Sequence, residues 1–148
     1  MIENNVARGV QLYPGPSDVL IANNTIVGNG KAGIQFGDDT SNSLAVNNII
    51  AYNGEYGIRS YNLSGAGNVV RRNLVWRNGS HNLAPNEGLA TGDNLQAHPG
   101  FSANGSRRPS ADSPAVGAAL GDLAPGLDYD ATARPLGAAP DLGAFEVG

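Results

Sequence analysis

Gln11, Gln35 and Arg59 stand 24 residues apart, and Tyr13, Gly37 and Tyr61 repeat that interval two positions further on. On extended backbone the alternating neighbours Val10 and Leu12, Ile34 and Phe36, and Ile58 and Ser60 point inward, which leaves Gln11, Gln35 and Arg59 pointing out in one file. Amide, guanidinium and phenol groups in file suit a carbohydrate, because polar groups bond hydroxyls while an aromatic face covers sugar C–H. Outward Gln, Arg and Tyr are also common on strands, and an ordinary solvated sheet face is the commoner reason for them. Asp38 and Asp39 follow the second of these strands. Paired carboxylates can hold Ca²⁺ or do acid–base work, and with Arg59 as a base they form the candidate catalytic set Arg59, Asp38 and Asp39. Adjacent side chains on a loop diverge, however, and the equivalent positions Asn62 and Leu63 add no acid. Ca²⁺ is the one cofactor these residues admit.

Other chemistry-bearing residues read as structural. Asp128-x-Asp130 with Arg134 lacks the glycine and closing glutamate of an EF-hand, so an Asp–Arg pair pinning the chain is expected, with Asp141 and Glu146 in similar roles. His81 and His98 have no metal-ligand frame and read as turn histidines. Arg71, Arg72 and Arg77 make a local basic patch, solvated or in contact with later chain, and Trp76 alternates outward from Val75, to be covered by that chain. There is no Ser-His-Asp order, Gly-x-Ser-x-Gly, phosphate loop or Cys-His pair.

The elements that must position these side chains are set by an internal repeat. Asn5, Asn29, Asn53 and Asn78 are separated by 24, 24 and 25 residues, and Ile2, Ile26, Ile50 and Val75 keep the same spacing. So do Val10, Ile34, Ile58 and Leu83, and Gly9, Gly33, Gly57 and Asn82. Helical repeats need unbroken apolar periodicity, which Asn-Gly and paired Asn interrupt in every unit. The Leu-x-x-Leu-x-Leu frame of a leucine-rich repeat is missing. What remains is a coil of short strands, each pairing in parallel with its equivalent one rung away. The expected fold is therefore all-β: a short parallel β-helix of about three to four coils of 24–25 residues. In the second unit, strands are expected at Gly33 to Phe36, near Ser43 to Val46, and at Asn48 to Ala51. The asparagines tolerate positive φ at the turns and bond along the stack.

The chain has 148 residues, 41% hydrophobic, 21 glycines, few charges and a net charge of −4. That supports one domain with a packed core and lacks the basic footprint of a nucleic-acid binder. The absence of cysteine excludes disulfides and thiolate metal sites. No signal peptide or membrane span is visible, so neither nucleic acid nor membrane is an expected partner. Because Ile2 already occupies a repeat column, the first coil is uncapped. The expectation is either that the chain is the C-terminal part of a longer solenoid or that it forms a homo-oligomer through this open N-terminal coil.

After Asn82-Leu83 the repeat is expected to stop, giving coils over 1–92 and an irregular capping tail over 93–148 that runs over the last coil, within one structural domain. Ala97-His98-Pro99-Gly100-Phe101, Ser113-Pro114-Ala115-Val116-Gly117, Asp128-Tyr129-Asp130-Ala131-Thr132-Ala133-Arg134-Pro135 and Pro140-Asp141-Leu142-Gly143-Ala144-Phe145-Glu146 occur there in order. This resembles the C-terminal end of right-handed parallel β-helix, pectate-lyase-like proteins of the choice-of-anchor Q group. His98 and Ala131 depart from its Asp-Pro and Asp-Gly steps. The resemblance implies a right-handed coil, a secreted or cell-surface setting, and a polysaccharide partner. It also implies a groove along the sheet carrying Gly-Ile-x-Phe, which makes Gln11, Tyr13, Gln35, Arg59 and Tyr61 the substrate-binding candidates. The leading reading is a carbohydrate-associated β-helix module related to lyase and hydrolase scaffolds. The alternatives are a self-association module and an active polysaccharide lyase or glycosidase.

Overall fold

A computed structural model describes residues 1–61, 65–85 and 89–147. Positions Asn62 and Leu63, which enter the reading of the turn above, lie outside the described residues. Each rung carries three short strands. They are β1 (Ile2–Glu3), β2 (Val10–Leu12) and β3 (Leu20–Ala22); then β4 (Thr25–Val27), β5 (Ile34–Phe36) and β6 (Leu44–Val46). β7 (Ile49–Ala51), β8 (Tyr56–Ser60) and β9 (Asn68–Arg71) form the third rung, and β10 (Leu74–Trp76), β11 (His81–Ala84) and β12 (Leu89–Gly92) the fourth. All pairing between them is parallel, in three sheets ordered β1-β4-β7-β10, β2-β5-β8-β11 and β3-β6-β9-β12. The register follows the repeat: Ile2 faces Ile26, Ile26 faces Ile50 and Ile50 faces Val75.

The corners explain why so short a strand can be closed into a coil. Left-handed backbone recurs at Asn4, Gly28, Tyr52 and Arg77, at Asp18, Asn42 and Gly67, and at Asn23, Asn47, Arg72 and Asp93. Asn, Asp and Gly enter that conformation at little cost, whereas Tyr52, Arg72 and Arg77 each pay about 1 kcal/mol or more. Two files of asparagine brace these corners. In the first, Asn29 donates from its backbone N (3.0 Å) and Nδ2 (2.9 Å) to Asn53 Oδ1, and Asn53 does the same to Asn78 Oδ1 at 3.0 and 2.9 Å. In the second, Asn48 donates twice to Asn73 Oδ1, and Asn73 twice to Asn94 Oδ1. Inside the coil, Ile26, Ile34, Phe36, Ala45, Ile50, Ile58, Val70 and Val75 form one fully buried core.

Two expectations about the later chain are corrected. The repeat does not stop at Leu83: β12 pairs with β9 from Leu89 to Gly92, and Leu95 bridges Leu74. The fourth rung is simply shorter, with 21 residues between Asn73 and Asn94, which breaks the 24-residue rhythm. Nor does the tail keep to the last coil. It lies along the flank, on the outer face of β4, β7 and β10, where Ala115, Ala119 and Leu142 bury Ile49 and Leu74. Gly143 N–H donates to Asn47 O at 2.8 Å, and Ala144 N–H to Thr25 Oγ1 at 2.9 Å. Gly143 has φ +85°, and a Cβ there would come 2.7 Å from both Ile49 and Thr25, so glycine is needed where the tail touches the sheet.

The expected Asp–Arg pin is also redistributed. Arg134 pairs with Glu146 at 2.9 Å with both side chains buried, and Asp130 pairs instead with Arg108. Asp128 is a loop staple. Its Oδ1 accepts the N–H groups of Asp130 and Thr132, and its Oδ2 accepts that of Glu146. Burial pushes its pKa up, but those three N–H donors and the Arg134 charge outweigh it and hold the carboxyl below its ordinary 3.8. A depressed folded pKa gives stability that is complete above the unfolded value and lost as pH falls through the folded one. Asp128→Asn is therefore expected to flatten part of the acid limb of Tm against pH. Its deficit relative to the native chain should be constant at neutral pH and shrink below about pH 4. Parallel curves down to about pH 2 would remove Asp128 from the acid response.

Candidate functional site

The outer face of β2, β5, β8 and β11 carries the file read from the sequence: Gln11 is in register with Gln35, Gln35 with Arg59, and Arg59 with Ala84. Its side chains are not equally available. Gln11 is exposed, but Gln35 is only 2% exposed because two arginines lie across it. Arg8 Nε donates to Gln35 Oε1 at 2.7 Å and Arg59 Nε donates to the same oxygen at 2.9 Å. Gln35 thus underlies this face as a positioning residue and does not line it as the sequence suggested. Arg8 also reaches Gln11 Oε1, at a long 3.5 Å.

Arg59 is held from the sides as well. Its guanidinium carbon lies 4.8 Å from the centroid of the Tyr56 ring and 4.6 Å from that of Tyr61, a cation held against two aromatic faces. Tyr56 in turn stacks on His81, its partner in register, with ring centroids 6.1 Å apart and planes 10° from parallel. Tyr13 and Tyr61 remain 59% and 45% exposed at the end of the file. Gly37 sits between them, and a Cβ there would meet Leu12 O at 2.8 Å and the Tyr13 ring at 3.4 Å. The Tyr13 ring lies against the Gly37 backbone, so the file ends in an aromatic rim.

Sequence reasoning missed Arg8, Tyr56 and His81. The signal was present: Arg8, Ala32, Tyr56 and His81 follow the same 24, 24 and 25 spacing as the asparagines. Ala32 is the small member, and its lack of bulk lets Arg8 cross from the first rung to Gln35 on the second.

The electrostatics are unusual for so mildly charged a chain. Among the described residues the ion pairs are Arg107–Glu3, Arg108–Asp130 and Arg134–Glu146, so neither Arg8 nor Arg59 is neutralised by a carboxylate. Two guanidinium groups bonded to one amide oxygen lie close enough to repel each other. The shared amide oxygen, with one lone pair for each donor, offsets part of that.

Asp38 and Asp39 lie at the turn after β5 and diverge. Asp38 is half-buried with Oδ1 enclosed and unbonded, while its carbonyl accepts Gly15 N–H; Asp39 is exposed in left-handed backbone. Neither forms an ion pair with Arg59. Among the described residues no three His, Asp or Glu side chains gather as metal ligands. The face can donate hydrogen bonds, attract negative charge and stack on rings. Elsewhere, His98 accepts Gly100 N–H on Nδ1 within a turn, and Trp76 packs under the tail against His98.

Searches of the curated proteins and of the solved structures each return no match to this chain. The model of one family, described as a right handed beta helix region, matches residues 1–98, which takes in all four rungs and the Asn94 end of the second asparagine file. With three parallel sheets, about four coils in register and that match over most of its length, the chain belongs to the right-handed beta helix family.

Proposed function

We propose that this chain is a carbohydrate-binding β-helix module, on a scaffold of the kind that polysaccharide lyases and hydrolases use, and that its ligand lies across β2, β5 and β8. The observation that carries this reading is the clamped Arg59. A guanidinium fixed by Gln35 and by two tyrosine rings is preorganised, so little side-chain entropy is lost when its remaining N–H groups bond a hydroxyl. Exposed Tyr13 and Tyr61 supply the aromatic faces on either side of Gly37. Rungs lie about 4.8 Å apart, so the two tyrosines, two rungs apart, span roughly 10 Å, about the length of two linked sugars. Binding, rather than a committed reaction, accounts for a face on which Asp38 and Asp39 stay unpaired with Arg59.

A glycan array with the native chain and with Tyr13→Ala and Tyr61→Ala tests it. Both replaced side chains are at the surface, so folding should survive. Each variant is expected to lose about tenfold or more in affinity for any glycan the native chain binds, on the order of 1–2 kcal/mol per aromatic face. Undiminished binding by both variants would move the ligand off this sheet.

A further inference from the structure

We propose that Arg8 and Arg59 form an oxyanion site above Gln35, which takes a carboxylate or sulfate group carried by the ligand. This deepens the carbohydrate reading by naming the chemistry of the ligand, and it rests on separate observations. Arg8 was not among the groove candidates, and it comes from the rung below to share one acceptor with Arg59. That acceptor is neutral and already saturated: Gln35 Oε1 has two lone pairs and receives two guanidinium N–H groups. A buried glutamate in that position would have neutralised one charge, whereas the glutamine positions both arginines and neutralises neither.

The charges have little room to disperse. Arg59 is held between Tyr56 and Tyr61, and Arg8 is anchored through Nε on a side chain that is 2% exposed. Among the described residues no carboxylate forms an ion pair with either arginine, Glu55, Asp38 and Asp39 included. Both arginines use Nε for the amide. Among the described residues the outer N–H groups of each planar fork meet no acceptor apart from the long contact of Arg8 with Gln11. Carboxylate and sulfate oxygens match that fork in charge and geometry. The chain as a whole carries a net charge of −4, so the broad basic face that nucleic acid requires is missing.

The test is calorimetric titration of the 148-residue chain with three probes: a hexasaccharide carrying one carboxylate per sugar, its carboxyl-reduced neutral form, and inorganic sulfate. The chain is used as it is and as Arg8→Gln, Arg59→Gln and Arg71→Gln. Arg71 is exposed on β9 of another sheet and controls for net charge. The native chain should prefer the carboxylated hexasaccharide by about tenfold or more, with an affinity that falls as salt rises. Arg8→Gln and Arg59→Gln should each reduce that preference to within about twofold, while Arg71→Gln keeps it. Arg8→Gln alone carries the test if Arg59→Gln fails to fold, since Arg8 sits at the rim. Equal affinity for charged and reduced forms in the native chain, or a preference that survives Arg8→Gln, would overturn the site while leaving the carbohydrate reading standing. Binding of sulfate alone, lost in Arg8→Gln, would support the site and remove the carbohydrate. Binding of none of the three probes would overturn both.

Discussion

Asn53→Ala is expected to lower the free energy of unfolding by about 3–5 kcal/mol, a large part of what a domain of this size has. Asn53 is 1% exposed and is the middle member of its file. Its Oδ1 accepts both the backbone N–H and the Nδ2–H of Asn29, and its Nδ2 donates to Ile26 O at 3.2 Å and Asn78 Oδ1 at 2.9 Å. Truncation takes the acceptor from two donors on Asn29, whose Nδ2 keeps only a long 3.4 Å contact with Ile2 O, in a place water does not reach, since Asn29 is itself buried. Each such group costs about 1–3 kcal/mol, partly relieved where the chain relaxes. The contrast is Asn5→Ala. Asn5 is exposed, donates to Asn29 Oδ1 and accepts from no other asparagine, so about 1 kcal/mol or less is expected. Urea midpoints for the two variants, with unchanged m-values, decide the matter. Equal small losses would mean that the file is held up by the coil and does not hold it.

That file also shows what was legible in the sequence. A solenoid converts sequence separation directly into spatial stacking, so subtracting positions places Ile26 on Ile50 and Gln35 on Arg59 before any coordinates are seen. The three strands per unit were legible for the same reason, to within a residue at each end. The left-handed corners were legible where they fall on Asn or Gly and hidden at Asp18, Tyr52, Arg72, Arg77 and Asp93. What stayed hidden does not repeat. Whether Gln35 faces water depends on the reach of Arg8, a long side chain bending across a neighbouring rung. The path of the tail rests on contacts such as Thr25 with Ala144, 119 residues apart, which no period announces. Even so, the strands the tail covers carry a trace of it: Asn48-Ile49-Ile50-Ala51 is an almost continuous apolar run, as expected of a strand buried on both faces.

Glu146→Ala is expected to release the tail, at a cost of about 3–5 kcal/mol, because it leaves the Arg134 charge buried and unpaired. The two side chains are 1% and 0% exposed and meet at 2.9 Å. Glu146 also accepts the backbone N–H groups of Leu136 and Asp141, while Arg134 donates to Asp141 O and Gly143 O, both at 2.9 Å. The pair therefore fixes the turn that presents Leu142 and Gly143 to the sheet. Trp76 is packed in the same apolar cluster as Leu142 and provides the readout: its emission should shift to the red in Glu146→Ala, and the tail should become the first site of limited proteolysis. Two further variants separate charge from contact. Arg134→Met with Glu146→Leu removes both charges and should recover part of the loss, since desolvation of an ion pair is itself expensive. Asp130→Asn breaks the more exposed pair with Arg108 and should cost about 1 kcal/mol or less. If Asp130→Asn proves as damaging as Glu146→Ala, burial is not what gives the Arg134–Glu146 pair its weight. The tail is then held chiefly by Leu142, Ala115 and Ala119 against Ile49 and Leu74.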